Sequence, residues 1–473
     1  MEKALKKKVD FTEGRLFGKI VWFVLPLMAT NLLQTLYNAA DMMVVSLSSE
    51  QNAVAAIGVT GSFITLMVNI FIGFATGANV MVARHLGARN DEAVSKTVHT
   101  SLILGVVLGF VSMIFGLSLA RPILILMGAD NNLLELAIIY TRVYFIGVPF
   151  TSLTNYAVAI FRAKGDTKTP FVVMSLSGIV NVVLNLFFVL ACGMSVEGVA
   201  IATAISNALS SVVLIWMLSR DVGPCRFSFK KLRFDRDAFM WIMKIGLPAG
   251  IQGALFSISN IIIQSSILRV NNILVGGESE YAPVVAGNAA VSNLENFLYT
   301  ATNSVTQAAI TFTGQNVGAE KYNRVPRVLL CCYALAIGIS LFGSGLFVLL
   351  HDQLLPLYNV TAAAEGTLER LAYDAAMTKI YYETVFYFLL AFMDVASGVM
   401  RGLGMSLTST VITLIGTCLL RIVWIYTVFE TYLNLESIYV SYPISWIITG
   451  AIQLIAVVTI LRRKKRVLTL KNA

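Results

Sequence analysis

Three amides and a carboxylate interrupt the first long apolar segment of the chain: Asn31, Gln34, Asn38 and Asp41. At about 100° per residue, an α-helix would gather them into a sector of roughly 80°. The amides alone could serve as ties between neighbouring helices. The carboxylate asks for more, because Asp at the centre of a membrane helix costs about 2.5–3.5 kcal/mol and generally faces a cavity, a partner or an ion. Asp41 therefore points to the binding of a small cation, H+ or Na+. Neutral oxygen ligands recur on two further segments, where helical spacing aligns Asn181 and Asn185 with Met174 on one stripe and Thr203, Ser206, Asn207 and Ser210 on another.

The second half of the chain carries a longer stripe, Ser292, Asn296, Tyr299, Asn303 and Thr306, with Glu295 and Gln307 beside it. Tyr381, Tyr382, Phe386 and Tyr387 then precede Asp394. Aromatic faces close to an acid suit organic cations through cation–π attraction, and aromatics also anchor helices at the membrane boundary. Glu295, Asn296, Tyr299, Asn303, Tyr387 and Asp394 are accordingly candidates for lining a substrate cavity. Catalytic constellations are missing: the chain has three histidines and no HExxH, Walker A loop or GxSxG. Its five cysteines form no CxxC pair and read as small core residues. The expectation is a protein that is not an enzyme and uses no cofactor, with Na+ at Asp41 the one metal to consider.

The elements that must position these residues follow from composition. Of the 473 residues 57% are hydrophobic and 13% charged, against about 25% charged in soluble domains. Lipid is the natural solvent for such a surface. The net charge of +9 does not speak for nucleic acid, because the basic residues sit in short blocks between apolar runs. Runs long enough to cross a bilayer occupy residues 17–45, 53–83, 97–119, 133–161, 169–191, 196–218, 239–267, 282–312, 328–350, 380–399, 407–429 and 438–461. This predicts an all-α integral membrane protein with twelve transmembrane helices. No cleavable leader is visible, so the first helix is expected to stay. Every second loop is basic, from the N-terminal Lys3, Lys6, Lys7, Lys8, Arg15 and Lys19 to the final Arg462, Arg463, Lys464, Lys465 and Arg466, whereas Glu50, Glu197, Glu278, Glu280, Glu430 and Glu436 mark the loops between. The positive-inside rule then places both termini in the cytoplasm.

The two halves resemble each other. Leu25-Pro26 has a counterpart in Leu247-Pro248, His85-Leu86-Gly87-Ala88 in Asn316-Val317-Gly318-Ala319, and Arg162-Ala163-Lys164-Gly165 in Arg401-Gly402-Leu403-Gly404. The expected organisation is an N-terminal six-helix bundle (1–219), a basic cytoplasmic linker (220–236), a C-terminal six-helix bundle (237–461) and a basic tail (462–473). Internal repeats of this kind are a transporter hallmark, with the substrate site at the repeat interface. The acids are not duplicated: the repeat carries Asp41 onto Ile263 and Glu295 onto Ile64. Pro26 removes one backbone hydrogen bond and is expected to bend its helix.

In their order and spacing, Leu25-Pro26, Leu36 to Asp41, Gly77, Arg84 to Gly87, Phe161 to Asp166, Gly198 to Thr203, Gly314 to Ala319 and Arg401 to Gly404 resemble the multidrug and toxic compound extrusion (MATE) family, in its prokaryotic DinF-like branch. The resemblance implies two six-helix bundles forming a V-shaped cleft. It also implies export of small, mostly cationic organic compounds in exchange for H+ or Na+ by a monomer in the bacterial inner membrane. Asp41, Asn181, Asn185 and Thr203 match the family's coupling-ion positions; Gln34, Asn155 and Met174 match positions lining the drug cavity, with Asn38 on the same stripe. Members of this branch often carry Asp where this chain has Asn185, and with Asp41 the single acid of the set, a proton is favoured over Na+. The alternative is a lipid-linked precursor flippase of the related superfamily. Such a protein needs a strongly cationic cavity, and the first half offers Arg142 as almost its only intramembrane cation. A membrane enzyme or receptor is disfavoured by the missing catalytic groups and by the repeat.

Overall fold

The computed structural model describes residues 10–46, 53–126, 131–277 and 281–472. Lys3, Lys6, Lys7 and Lys8, and the loop acids Glu50, Glu278 and Glu280, lie outside them. Among the described residues there is no strand, as a chain immersed in hydrocarbon requires when each backbone group must bond within its own helix.

The helices are α1 (Leu16–Val45), α2 (Ala53–Gly87), α3 (Asp91–Leu126), α4 (Asn131–Ala163), α5 (Lys168–Leu186), α6 (Val196–Ser219), α7 (Arg236–Val275), α8 (Pro283–Gly318), α9 (Val325–Leu349), the short α10 (His351–Leu354), α11 (Leu368–Tyr382) and α12 (Tyr387–Gly402). The next span is assembled from α13 (Ser406–Thr413), a π turn (Leu414–Leu419), α14 (Leu420–Trp424), a second π turn (Ile425–Phe429) and α15 (Glu430–Tyr432). The last helix is α16 (Leu435–Asn472). Eleven helical segments among the described residues are long and apolar enough to cross a membrane. The 36-residue α8 is not one of the eleven, because its polar stripe dilutes the apolar signal. One boundary differs substantially from the sequence reading. The span expected at 380–399 runs over Leu368–Gly402, since α11 carries Glu369, Arg370, Asp374 and Lys379 and reads as a loop by hydropathy.

The chain folds as two compact units. The first comprises the described residues within 1–15, 22–253 and 314–321, the second those within 16–21, 254–313 and 322–473. In the first, α4 packs against α2, α3 and α6, and a core of Val82, Val98, Ile160, Phe161 and Leu214 extends to Cys225 and Phe227. Part of the linker expected at 220–236 is therefore packed: the buried His99 ring takes the backbone N–H of Ser228 at 3.1 Å, and the Thr100 hydroxyl takes that of Asp235 at 3.1 Å. In the second unit α12 packs against α9 and α16, around Leu298, Tyr387, Leu390, Met393 and Trp446. Large apolar side chains such as Trp22, Ile114, Val212, Phe342 and Ile455 remain exposed, the surface a lipid-embedded fold presents.

Glycine sets the closest helix approaches in the first unit. A Cβ on Gly73 would lie 2.3 Å from the backbone nitrogen of Gly250, and one on Gly77 2.3 Å from the carbonyl of Ile242. Gly73 and Gly77 on α2 thus face Gly246 and Gly250 on α7, a four-residue spacing on both helices that lets backbones touch. At the far end of α2, a Cβ on Gly87 would lie 2.0 Å from the Gln315 carbonyl, and one on Gly318 1.9 Å from the Arg84 carbonyl. The contact is reciprocal: each glycine rests on the residue three positions before the other.

Candidate functional site

Asp41 lies half-buried in the last turns of α1. Asn185, fully buried on α5, donates its Nδ2 to Asp41 Oδ1 at 2.5 Å and to Asn181 Oδ1 at 3.3 Å. Asn181, one turn earlier on the same helix, donates in turn to Thr203 Oγ1 on α6 at 3.3 Å. The four residues matched to a coupling-ion set thus form one continuous row across three helices. Asn185 Oδ1 is buried and accepts no hydrogen bond from any described residue. A buried oxygen left without a donor beside a carboxylate is what a cation or a protonated acid would satisfy. Tyr140 and Tyr144 of α4 lie within electrostatic reach of the carboxylate.

The α1–α5 contact that holds this row rests on Tyr37. Its hydroxyl donates to the Ser175 carbonyl at 3.1 Å, and its ring lies where a Cβ on Gly178 would come within 1.9 Å. Gly178→Ala should force the ring aside, at about 1–3 kcal/mol for overpacking. Thermal unfolding in detergent checks this, and an unchanged melting temperature would mean that the contact is not close.

Gln34, Asn155 and Met174 come together. With Thr30, Thr154, Arg162, Asn207 and neighbouring residues they line a cavity of about 80 Å³ within the first unit, large enough to hold water. Asn38 is exposed on α1 and is not part of that lining. α1 continues as a helix through Pro26, whose carbonyl accepts the Thr30 hydroxyl at 2.8 Å.

The second-unit candidates separate into three environments. Asn296 and Tyr299 are exposed on α8, and Asn303, half-buried, donates to the Tyr299 hydroxyl at 3.1 Å. Tyr387 is buried in an apolar cluster, edge-on to Trp446 at 5.7 Å. Asp394 lies within electrostatic reach of Arg401 and Tyr299. Glu295 is an acid with a buried partner. It is 6% exposed, lies 3.1 Å from Lys379 Nζ and accepts the Thr384 hydroxyl at 2.7 Å. Lys379, Glu383 and Arg421, all buried, were missed by the sequence reading. Arg421 had a signal, a lone cation in the middle of an apolar run; Lys379 falls one residue before the expected span at 380–399, and Glu383 lies in its first turn.

Two helical units, membrane-length helices and a carboxylate held inside by amides define a multi-pass membrane transporter. The chain belongs to the MatE family, whose profile matches residues 26–187 and again 257–427, one match in each half. It is 25% identical over 442 residues to the probable multidrug resistance protein YoeA of Bacillus subtilis, covering 90% of both chains. It is 24% identical over 266 residues to the multidrug export protein MepA of Staphylococcus aureus, covering 56% of this chain and 59% of that one. Among solved structures, an outward-facing multidrug resistance MATE transporter of the MOP superfamily shares the fold with a TM-score of 0.87 at 23% identity, over 97% of this chain and 99% of the other.

Proposed function

We propose that this protein is a proton-coupled antiporter of the DinF-like branch that exports small, mostly cationic organic compounds, with Asp41 as the coupling residue. The reading includes twelve crossings with α8 as one of them, both termini on the cytoplasmic side of a bacterial inner membrane, and a monomer as the working unit. The observation that carries it is the row from Asp41 to Thr203 with an unfilled acceptor, Asn185 Oδ1, inside it.

The row has a source. Asn185 donates both toward an ionised Asp41 and toward Asn181, and Asn181 donates on to Thr203. A protonated Asp41 becomes a donor, and only an oxygen can answer it. Rotation of the Asn185 amide brings Oδ1 to the carboxyl, rotation of Asn181 lets its Nδ2 donate to Asn185, and the Thr203 hydroxyl then donates to Asn181. One proton on α1 thereby reverses every bond as far as α6. Exchange follows when the proton and the organic substrate favour opposite conformations, since a ligand shifts an equilibrium only by its differential affinity. Na+ would need several oxygens and would rely on a single negative charge here. A flippase of lipid-linked precursors is supported less, because the cavity beside Gln34 has Arg162 as its one charged lining residue.

Proteoliposomes test the reading. A pH gradient alone, with Na+ absent, should drive substrate movement, and a Na+ gradient at equal pH should not. Movement under Na+ alone transfers the coupling role to that ion, and movement under neither removes antiport.

A further inference from the structure

The second unit contains a charged cluster that the proposed cycle does not use. Lys379 of α11 is 5% exposed, Glu295 of α8 6%, Glu383 just after α11 4%, and Arg421 of α14 4%. The Lys379 ammonium donates to Ser292 Oγ at 2.5 Å, lies 3.1 Å from Glu295 Oε2 and 3.8 Å from Glu383 Oε2, and stands 6.0 Å from the Tyr439 ring. Glu383 Oε2 is buried and accepts no hydrogen bond from a described residue, and Arg421 Nη2 likewise finds no acceptor among them. Arg421 is placed by Ser445, which accepts its Nε at 2.9 Å, and by the Tyr442 ring 3.9 Å from its guanidinium. It lies within electrostatic reach of Glu383. Two cations and two anions make the group neutral, the condition on which a membrane interior tolerates charge.

An ion group of this kind seldom adds stability over well-packed apolar residues, so its geometry calls for another account. Two carboxylates and a hydroxyl from α8 and the end of α11 converge on one point, an arrangement of hard oxygens that would hold a small monovalent cation. A primary ammonium is at that point. We infer that Lys379 is a tethered cation seated in a two-carboxylate site, so that the second unit is permanently loaded and binds no exchangeable ion. The ammonium is covalently held at the point where Ser292, Glu295 and Glu383 converge and loses no translational freedom on occupying it, so Na+ does not displace it. Combined with the role proposed for Asp41, on which this clause alone rests, one ion would be exchanged per cycle.

The seat is tested by binding, without transport, in the Asp41→Asn background, which silences the first unit. Thermal unfolding of detergent-purified full-length protein is compared at pH 8 in NaCl and in choline chloride of equal ionic strength. With Lys379 intact the two salts should give the same melting temperature. Lys379→Met should melt lower in choline and regain several degrees in NaCl. Lys379→Arg should remain indifferent to the salt, and Lys379→Met with Glu295→Gln should lose the response. Should Lys379→Met fail to fold in choline, the milder pair Lys379→Met with Glu383→Gln, which leaves one carboxylate, is expected to fold and to respond to Na+. Two results overturn the inference: a Na+-specific shift with Lys379 in place that Glu295→Gln abolishes, or folded Lys379→Met variants that ignore Na+. Neither bears on whether Asp41 couples transport, so failure of the seat and failure of the antiport reading are distinguishable.

Discussion

Asp41→Asn is expected to reach the membrane in normal amounts and to lose gradient-driven export by at least tenfold. The substitution is close to isosteric, and an Asn oxygen at this position can still accept the Asn185 Nδ2 that now bonds Asp41 Oδ1. Folding therefore keeps its contact, while the one titrating group in the row disappears. Insertion becomes easier, because a neutral amide is less costly than a carboxylate in the same helix. What cannot survive is any step in which a proton or Na+ alters the charge of the row. Efflux of a fluorescent substrate, measured beside the amount of protein in the membrane, separates the two effects. Normal efflux from Asp41→Asn would sink the coupling role outright.

The second large effect is structural and lies at the reciprocal glycine contact of α2 and α8. Gly318→Val should cost about 3 kcal/mol or more, the upper range for overpacking, because the obstacle is the Arg84 carbonyl, 1.9 Å from where a Cβ would stand. A backbone atom cannot swing away as a side chain can. Gly87→Val meets the Gln315 carbonyl at 2.0 Å and should behave alike. Gly338 on α9 provides the control, since nothing lies within 4 Å of a Cβ built there. Loss of membrane yield and a lowered melting temperature for the first two, with Gly338→Val unaffected, is the expected pattern. Equal tolerance at all three positions would mean that the helices do not meet there.

Much of this was legible beforehand, and for a definite reason. Apolar runs of bilayer length announce themselves, and the Asp41, Asn181, Asn185 and Thr203 stripes were readable because a polar atom in such a run is rare. Their joining into one row depends on how α1, α5 and α6 pack, which periodicity cannot supply. The repeated Gly87-Ala88 and Gly318-Ala319 segments were visible as similarity only; the contact gives the physical cause, backbones too close for any side chain. Glu295 stands out in the sequence as an acid on a polar stripe, but its partner Lys379 belongs to another helix and no spacing rule joins them. Lys379 lies at the end of α11, whose Glu369, Arg370 and Asp374 lower its hydropathy below that of a membrane span, so the apolar run begins only at residue 380, beyond the counter-charge.

The two π turns around α14 bear on how this chain can be compared with its relatives. A π turn holds one residue more than an α turn at the same place, so each shifts the facing of everything beyond it by about 100°. Arg421 follows the turn at Leu414–Leu419 and precedes the one at Ile425–Phe429, so its facing relative to α13 is offset by the residue that the first turn adds. A relative lacking the insertion would present to lipid whatever stands at the aligned column. Its true counterpart of Arg421 would sit one column away. Within this span, homology of position and homology of facing are different questions, and the bookkeeping of gaps decides which of them an alignment answers.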